Sequence, residues 1–472
     1  MNRAVWIGAL VAGVLCAPAL WRGELVGSAG AETFGHAWVL GWVADGWPAW
    51  SSGTDTAAGA ANWPVIDALP TWLAAGFGRL IGVAGAWNLR VVGAIVVASV
   101  GGARLARAWG GNETFGAVAT PLMPIFLGSI TSGLSEDLAI GLLAFVLAWA
   151  MEGRWWRAAL GVGALAGCGL YLGWMGGAGM AVLAVRQGWT APRQVAARAG
   201  AVALAAALAV AVATPFASRL GTSTKAVAGV AEPHWRLNPW RGADVASFVA
   251  PGKEGVDGAA LREHPAYLGV LTLGLAAAGG TPPGWLAVVA CASVAPGASF
   301  SIAGVPTGVD NPAAAVLHTL PGGDQFRNHA RFMLLGQLLL VGLASRGVER
   351  LRRRWPAAAA AGALLVAGEV ALLSPARVPL PGTPVEAPPI YAALAEAPTG
   401  LPLRVVGSPN PQAPFFHQRA HGRILRNDPN RPDPGRPEVG REIVVGFGEA
   451  RERLTEELGA PKVRAEEGAA WW

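Results

Sequence analysis

The chain has 472 residues, 53% of them hydrophobic and only 14% charged, with a formal net charge of +6 and a mean hydropathy of +0.40. A soluble domain carries roughly 25% charged residues, so this composition argues against a soluble enzyme and for a protein that lives in a bilayer. The basic residues are scattered along apolar stretches rather than gathered on one face, which argues against nucleic-acid binding.

In chain order, eleven stretches have the length and apolar content of membrane-spanning helices: 4–21, 86–105, 113–130, 136–151, 155–172, 174–187, 197–215, 265–280, 283–300, 329–346 and 356–374. Their Gly and Ala content suits close helix packing in lipid. The first, behind Met1-Asn2-Arg3, reads as an uncleaved signal anchor; the proline in Ala17-Pro18-Ala19 is unfavourable at a cleavage site. The connection that follows, 22–85, is long. Residues 31–50 are expected to form a helix along the membrane surface, with Trp38 and Trp42 as headgroup-level anchors. Residues 68–84, interrupted by Pro70 and several glycines, read as an interfacial or re-entrant segment. Cys16, Cys168 and Cys291 lie inside apolar stretches without metal-ligand or disulfide spacing, and read as small buried hydrophobes.

Beyond Pro375 the apolar runs stop and charges of both signs mix. A helix is predicted over Ile390–Ala397, strands over Leu403–Val406 and Glu442–Val445, a helix over Gly448–Leu458, and a loop over Asn427–Pro437. The fold class is therefore mainly α. A polytopic transmembrane helical bundle, 1–374, with its long first outer loop, precedes a small α/β domain, 375–472.

Arginines cluster in every second loop. Arg3, Arg104, Arg107, Arg154, Arg157, Arg186, Arg198 and the Arg350–Arg354 cluster fall on one side, which the positive-inside rule makes cytoplasmic. The predicted arrangement is N-in, C-out. The C-terminal domain is then extracytoplasmic, in a multi-pass protein of the inner (cytoplasmic) membrane.

Four groups on the outer side carry chemistry. Glu32 and His36 lie four apart, on one helical face, where a carboxylate can take a proton from a hydroxyl. The alternative is a solvated loop acid beside an interfacial histidine. Glu136 and Asp137 open a helix; they cap its dipole, or they form a second acidic element that supports the site or holds a divalent metal. Arg327 and Arg331, four apart before a late span, either snorkel to headgroups or grip phosphate oxygens. Glu232-Pro233-His234 and Glu263-His264 fit no strong zinc spacing and read as a covering loop. No Walker loop, dinucleotide fingerprint, nucleophile elbow or His-Glu-x-x-His motif is present.

Three stretches resemble the GT-C class of polytopic bacterial membrane glycosyltransferases. They are Gly30-Ala31-Glu32-Thr33-Phe34-Gly35-His36-Ala37-Trp38, with Trp63-Pro64 and Ala86-Trp87-Asn88-Leu89 after it; Tyr267-Leu268-Gly269; and Phe326-Arg327 through Arg331-Phe332. The resemblance covers about residues 1–374. It implies a polyprenyl-phosphate-linked sugar as donor, in a membrane-lipid setting, and transfer at the outer face. It also implies roles: Glu32 as base or metal ligand with His36 beside it, Arg327 and Arg331 on the lipid phosphate, and Glu136 or Asp137 in support. The chain departs from the class in carrying Glu where Asp is more common, and Asn328-His329-Ala330 where proline is frequent. The alternative function is a non-catalytic GT-C-like scaffold or envelope assembly component. A transporter is disfavoured, because among the spans Glu369 is the main mid-span ionisable residue.

Overall fold

The structure is a computed structural model. It describes residues 2–44, 67–190, 195–228, 242–250, 266–323, 326, 328–394, 401, 403–406, 408, 410, 412–418, 443–447, 449–458, 463–464 and 469–471. All eleven predicted stretches are helical over part or all of their length. Among the described residues, five helices are long and apolar enough to cross a membrane: Asn2–Trp21, Ala68–Ala108, Glu113–Thr131, Val195–Val212 and His329–Arg352. Val270–Gly279, Pro282–Val294 and Ala358–Leu373 are apolar but shorter.

The segment 68–84, read as interfacial or re-entrant, is helical and is set off by a kink from the helix that continues to Ala108. Pro70 sits in its first turn, where a missing N–H costs no intrahelical bond. The helix breaks at Gly82, with φ 76° and ψ 167°.

The chain divides into two compact units, Met1–Pro18 with Leu89–Pro381, and Ala19–Asn88 with Gly382–Trp472. This division is not linear in sequence, and each unit has its own reason to cohere.

The larger unit is a packed set of helices. Ala68–Ala108 and Ile140–Met151 meet at glycines: a Cβ on Gly101 would strike the Gly141 carbonyl, and one on Gly141 would strike the Val97 backbone. Small residues are what allow such backbone contact in lipid. The Tyr267-Leu268-Gly269 stretch has a physical role here. Gly269, at φ 78°, turns the chain into the helix Val270–Gly279. The buried Glu369 carboxylate accepts from the Tyr267 hydroxyl at 3.0 Å and from the Val270 amide at 2.6 Å. The mid-span acid thus satisfies a helix N-terminus.

The smaller unit joins the connection that follows the first helix to the C-terminal segment. Leu25–Val26 pairs antiparallel with Gly382–Thr383. A four-stranded sheet holds Leu403–Val406 parallel to Ile443–Phe447, followed by Ala469–Trp471 and Val463–Arg464. The strand Leu403–Val406 coincides with its prediction, and the helix Glu449–Leu458 nearly so. The loop expected over Asn427–Pro437 lies outside the described residues. Of the surface helix expected over 31–50, Thr33–Ala44 is helical, and residues 45–50 lie outside the described residues. Trp38 is not a headgroup anchor. It is buried in a core with Ile390, Tyr391, Leu403, Phe415 and Val445, and its ring centroid lies 5.1 Å from that of Phe415. Burying so large an apolar side chain against the sheet outweighs leaving it at an interface.

Candidate functional site

In the smaller unit, an exposed acid is backed by a histidine and a second, buried acid. Glu32 stands on the turn just before Thr33–Ala44, and the His36 amide donates to the Glu32 carbonyl at 3.1 Å. The backbone leading into this turn is held from the C-terminal segment. Asn410 donates through its side-chain nitrogen to the Ala29 and Ala31 carbonyls, at 2.5 and 2.7 Å. The Gly35 amide donates to the Gln412 side-chain oxygen at 3.0 Å. On that rigid start, His36 Nε2 lies 3.5 Å from Glu32 Oε2, and His36 Nδ1 lies 3.9 Å from Asp67 Oδ2. These are ion-pair separations, longer than hydrogen bonds. The Glu32 side chain is 50% exposed, His36 13% and Asp67 2%. An accessible carboxylate therefore rests on an imidazole steered by a second carboxylate. Such a carboxylate can accept a proton from a hydroxyl, and the neighbouring imidazole can take that proton on in turn.

Sequence reasoning missed Asp67 as a site residue. It is the acid immediately before the helix Ala68–Ala108, a position any capping acid occupies. Helical spacing links Glu32 to His36 but says nothing of a residue beyond the intervening loop.

In the larger unit, Arg331 meets both Glu136 and Asp137. Arg331 ends the 3-10 turn His329–Arg331, which leads into the helix Phe332–Arg352. The two acids lie in the 3-10 turn Ser135–Ala139, ahead of Ile140–Met151. Arg331 Nη2 lies 2.6 Å from Glu136 Oε1, and Arg331 Nε lies 3.5 Å from Asp137 Oδ2. All three are buried, Asp137 completely. The Ser129 hydroxyl donates to Asp137 at 3.0 Å, and Arg90 donates to the Ser135 carbonyl at 3.0 Å. The guanidinium also lies 4.8 Å from the centre of the Tyr171 ring. Arg331 thus pairs with both acids, which is what makes burial of these charges tolerable. Beside them, His318 Nε2 and His329 Nε2 approach to 2.9 Å.

Glu32 and His36 are therefore together in one unit, and Glu136, Asp137 and Arg331 in the other. Arg327, Glu232, His234, Glu263 and His264 lie outside the described residues. Among the described residues, no group of three or more His, Cys, Asp or Glu is placed to hold a metal ion.

No family model matches the chain, and no curated relative matches its sequence. Its fold is similar to that of ArnT from Cupriavidus metallidurans, in a crystal structure bound to undecaprenyl phosphate. The TM-score is 0.54 at 15% sequence identity, over 99% of this chain and 97% of that one. The likeness is one of fold. Among the described residues the fold is mainly helical.

Proposed function

We propose that the protein is a glycosyltransferase of the cytoplasmic membrane. It moves a sugar from a polyprenyl-phosphate-linked donor to an acceptor hydroxyl on the outer face. The observation that carries this reading is the whole-chain similarity of fold to a protein that binds undecaprenyl phosphate. The Glu32–His36–Asp67 arrangement supplies a base of the kind the reaction needs. In this reading the acceptor hydroxyl gives its proton to Glu32 as its oxygen bonds to the anomeric carbon. The bond from that carbon to the phosphate oxygen breaks, and polyprenyl phosphate leaves, with inversion at the sugar. His36 and Asp67 hold the Glu32 carboxylate in place. Arg331, oriented by Glu136 and Asp137, and Arg327 stabilise the negative charge that develops on the leaving phosphate.

The test is turnover by the full chain in liposomes, with a panel of polyprenyl-phosphate-linked sugars and release of polyprenyl phosphate as the readout. Glu32→Gln is expected to slow release by a factor on the order of 10² to 10⁴. Protein level and melting temperature should not change. Near-normal turnover in that variant removes Glu32 as the base.

A second reading, a non-catalytic scaffold of the same fold, is favoured by one observation. The Arg331 guanidinium is already engaged by two buried acids. Absence of turnover by the wild-type protein with every donor would favour it.

A further inference from the structure

A second basic site lies in the larger unit, at the helix ends where arginines collect. Asn2–Trp21, Ala68–Ala108, Glu113–Ala119 and Ile140–Met151 line a cavity of about 140 Å3. Its wall carries Arg3, Arg104 and Arg107 with a single acid, Glu113; much of the rest is apolar, including Ile7 and Phe145.

The acids at hand do not balance the arginines. Glu113 is taken by Arg107, through bonds of 2.7 and 2.5 Å. Arg104 bonds to Glu152 at 2.6 Å, but Glu152 is shared with Arg154, which lies 3.3 Å away. Arg3 forms no ion pair among the described residues. Four guanidiniums therefore face two carboxylates. The Arg104 Nε is also buried without a hydrogen-bond partner. A buried N–H in that state is a deficit that an added acceptor relieves. Phosphate oxygens suit it, because guanidinium donors engage them in pairs.

The surroundings favour a lipid as the carrier of that phosphate. Trp6, one turn along from Arg3, is 75% exposed. An exposed tryptophan at the end of an apolar helix belongs at the headgroup level. The apolar part of the wall gives the upper methylenes of an acyl chain a surface to rest on. A water-filled anion pocket has no use for such a wall. Basic pockets between spanning helices on the cytoplasmic side recognise anionic headgroups in this way.

We propose that this cavity binds the phosphate of an anionic glycerophospholipid of the cytoplasmic leaflet, held by Arg3, Arg104 and Arg107. The site is separate from the acid and histidine clusters described above and does not depend on the transfer reaction. It is tested by native mass spectrometry of the full chain with phosphatidylglycerol against phosphatidylcholine. The wild-type protein is expected to retain phosphatidylglycerol preferentially. R3A should reduce that preference roughly fivefold. R107A serves as a second variant, and melting temperature in phosphatidylcholine checks that each protein is folded. Equal retention of the two lipids by the wild type, or an unchanged preference in R3A and R107A, overturns the proposal. Soluble sn-glycerol 3-phosphate separates the sources. Lipid retention that it does not disturb supports the lipid. Arg3-dependent binding of the soluble ester in place of the lipid overturns the lipid as occupant.

Discussion

Arg331 shows how a single residue's role depends on what it touches. An arginine before a span reads equally well as a headgroup anchor or a phosphate ligand. In the fold it is 7% exposed and lies between two carboxylates that are 4% and 0% exposed. Replacing it with methionine strands both acids in a poorly solvated place. Arg331→Met is expected to cost about 3–5 kcal/mol of stability, read by unfolding in detergent. Glu136→Gln leaves one carboxylate on the guanidinium and should cost less. If both variants melt with the wild type, the cluster does not hold the fold. Glu32 is the contrasting residue. Its side chain is half exposed, so its substitution is expected to touch activity and not stability.

Among the elements, the helix Val270–Gly279 is the most dependent on a distant side chain. Its first amides bond to Glu369, about one hundred residues later in the chain. The charge that stood out in the last apolar stretch thus serves the start of another helix, and a transport path is not needed to account for it. Glu369→Ala removes that acceptor, together with the partner of the Tyr267 hydroxyl. A loss of about 0.5–2 kcal/mol is expected, the usual worth of an N-terminal cap. Hydrogen exchange at the Val270 and Leu271 amides should accelerate specifically. Unaltered exchange there would mean that the turn at Gly269 holds the helix start unaided.

For the molecule as a whole, the sorting of arginines predicts the cytoplasmic side, and this is directly measurable. The native cysteines are all buried, so single introduced cysteines report cleanly. Glu456→Cys, in the exposed helix near the C-terminus, should react with a membrane-impermeant maleimide on intact cells. Arg354→Cys, at the end of the basic cluster, should react only after permeabilisation. The opposite pattern would reverse the N-in, C-out arrangement and place Glu32 on the cytoplasmic face.

Apolar length and charge spacing are local properties, so the sequence by itself determined that this is a helical membrane protein and where its helices run. The strand Leu403–Val406 was legible for the same reason: a short β-branched run between turn residues. The pairing of Glu32 with His36 was legible because four residues is one helical turn. Only the tertiary structure decided the rest. Arg331 meets Glu136 across 195 positions, and no periodicity spans that distance. Asp67 joins His36 from far along the chain, beyond the reach of helical spacing. Trp38, apolar and aromatic, fits a membrane interface and a protein core equally well. The partners that bury it, Ile390 to Val445, come from the far end of the chain, and burial is a property of what surrounds a residue in space.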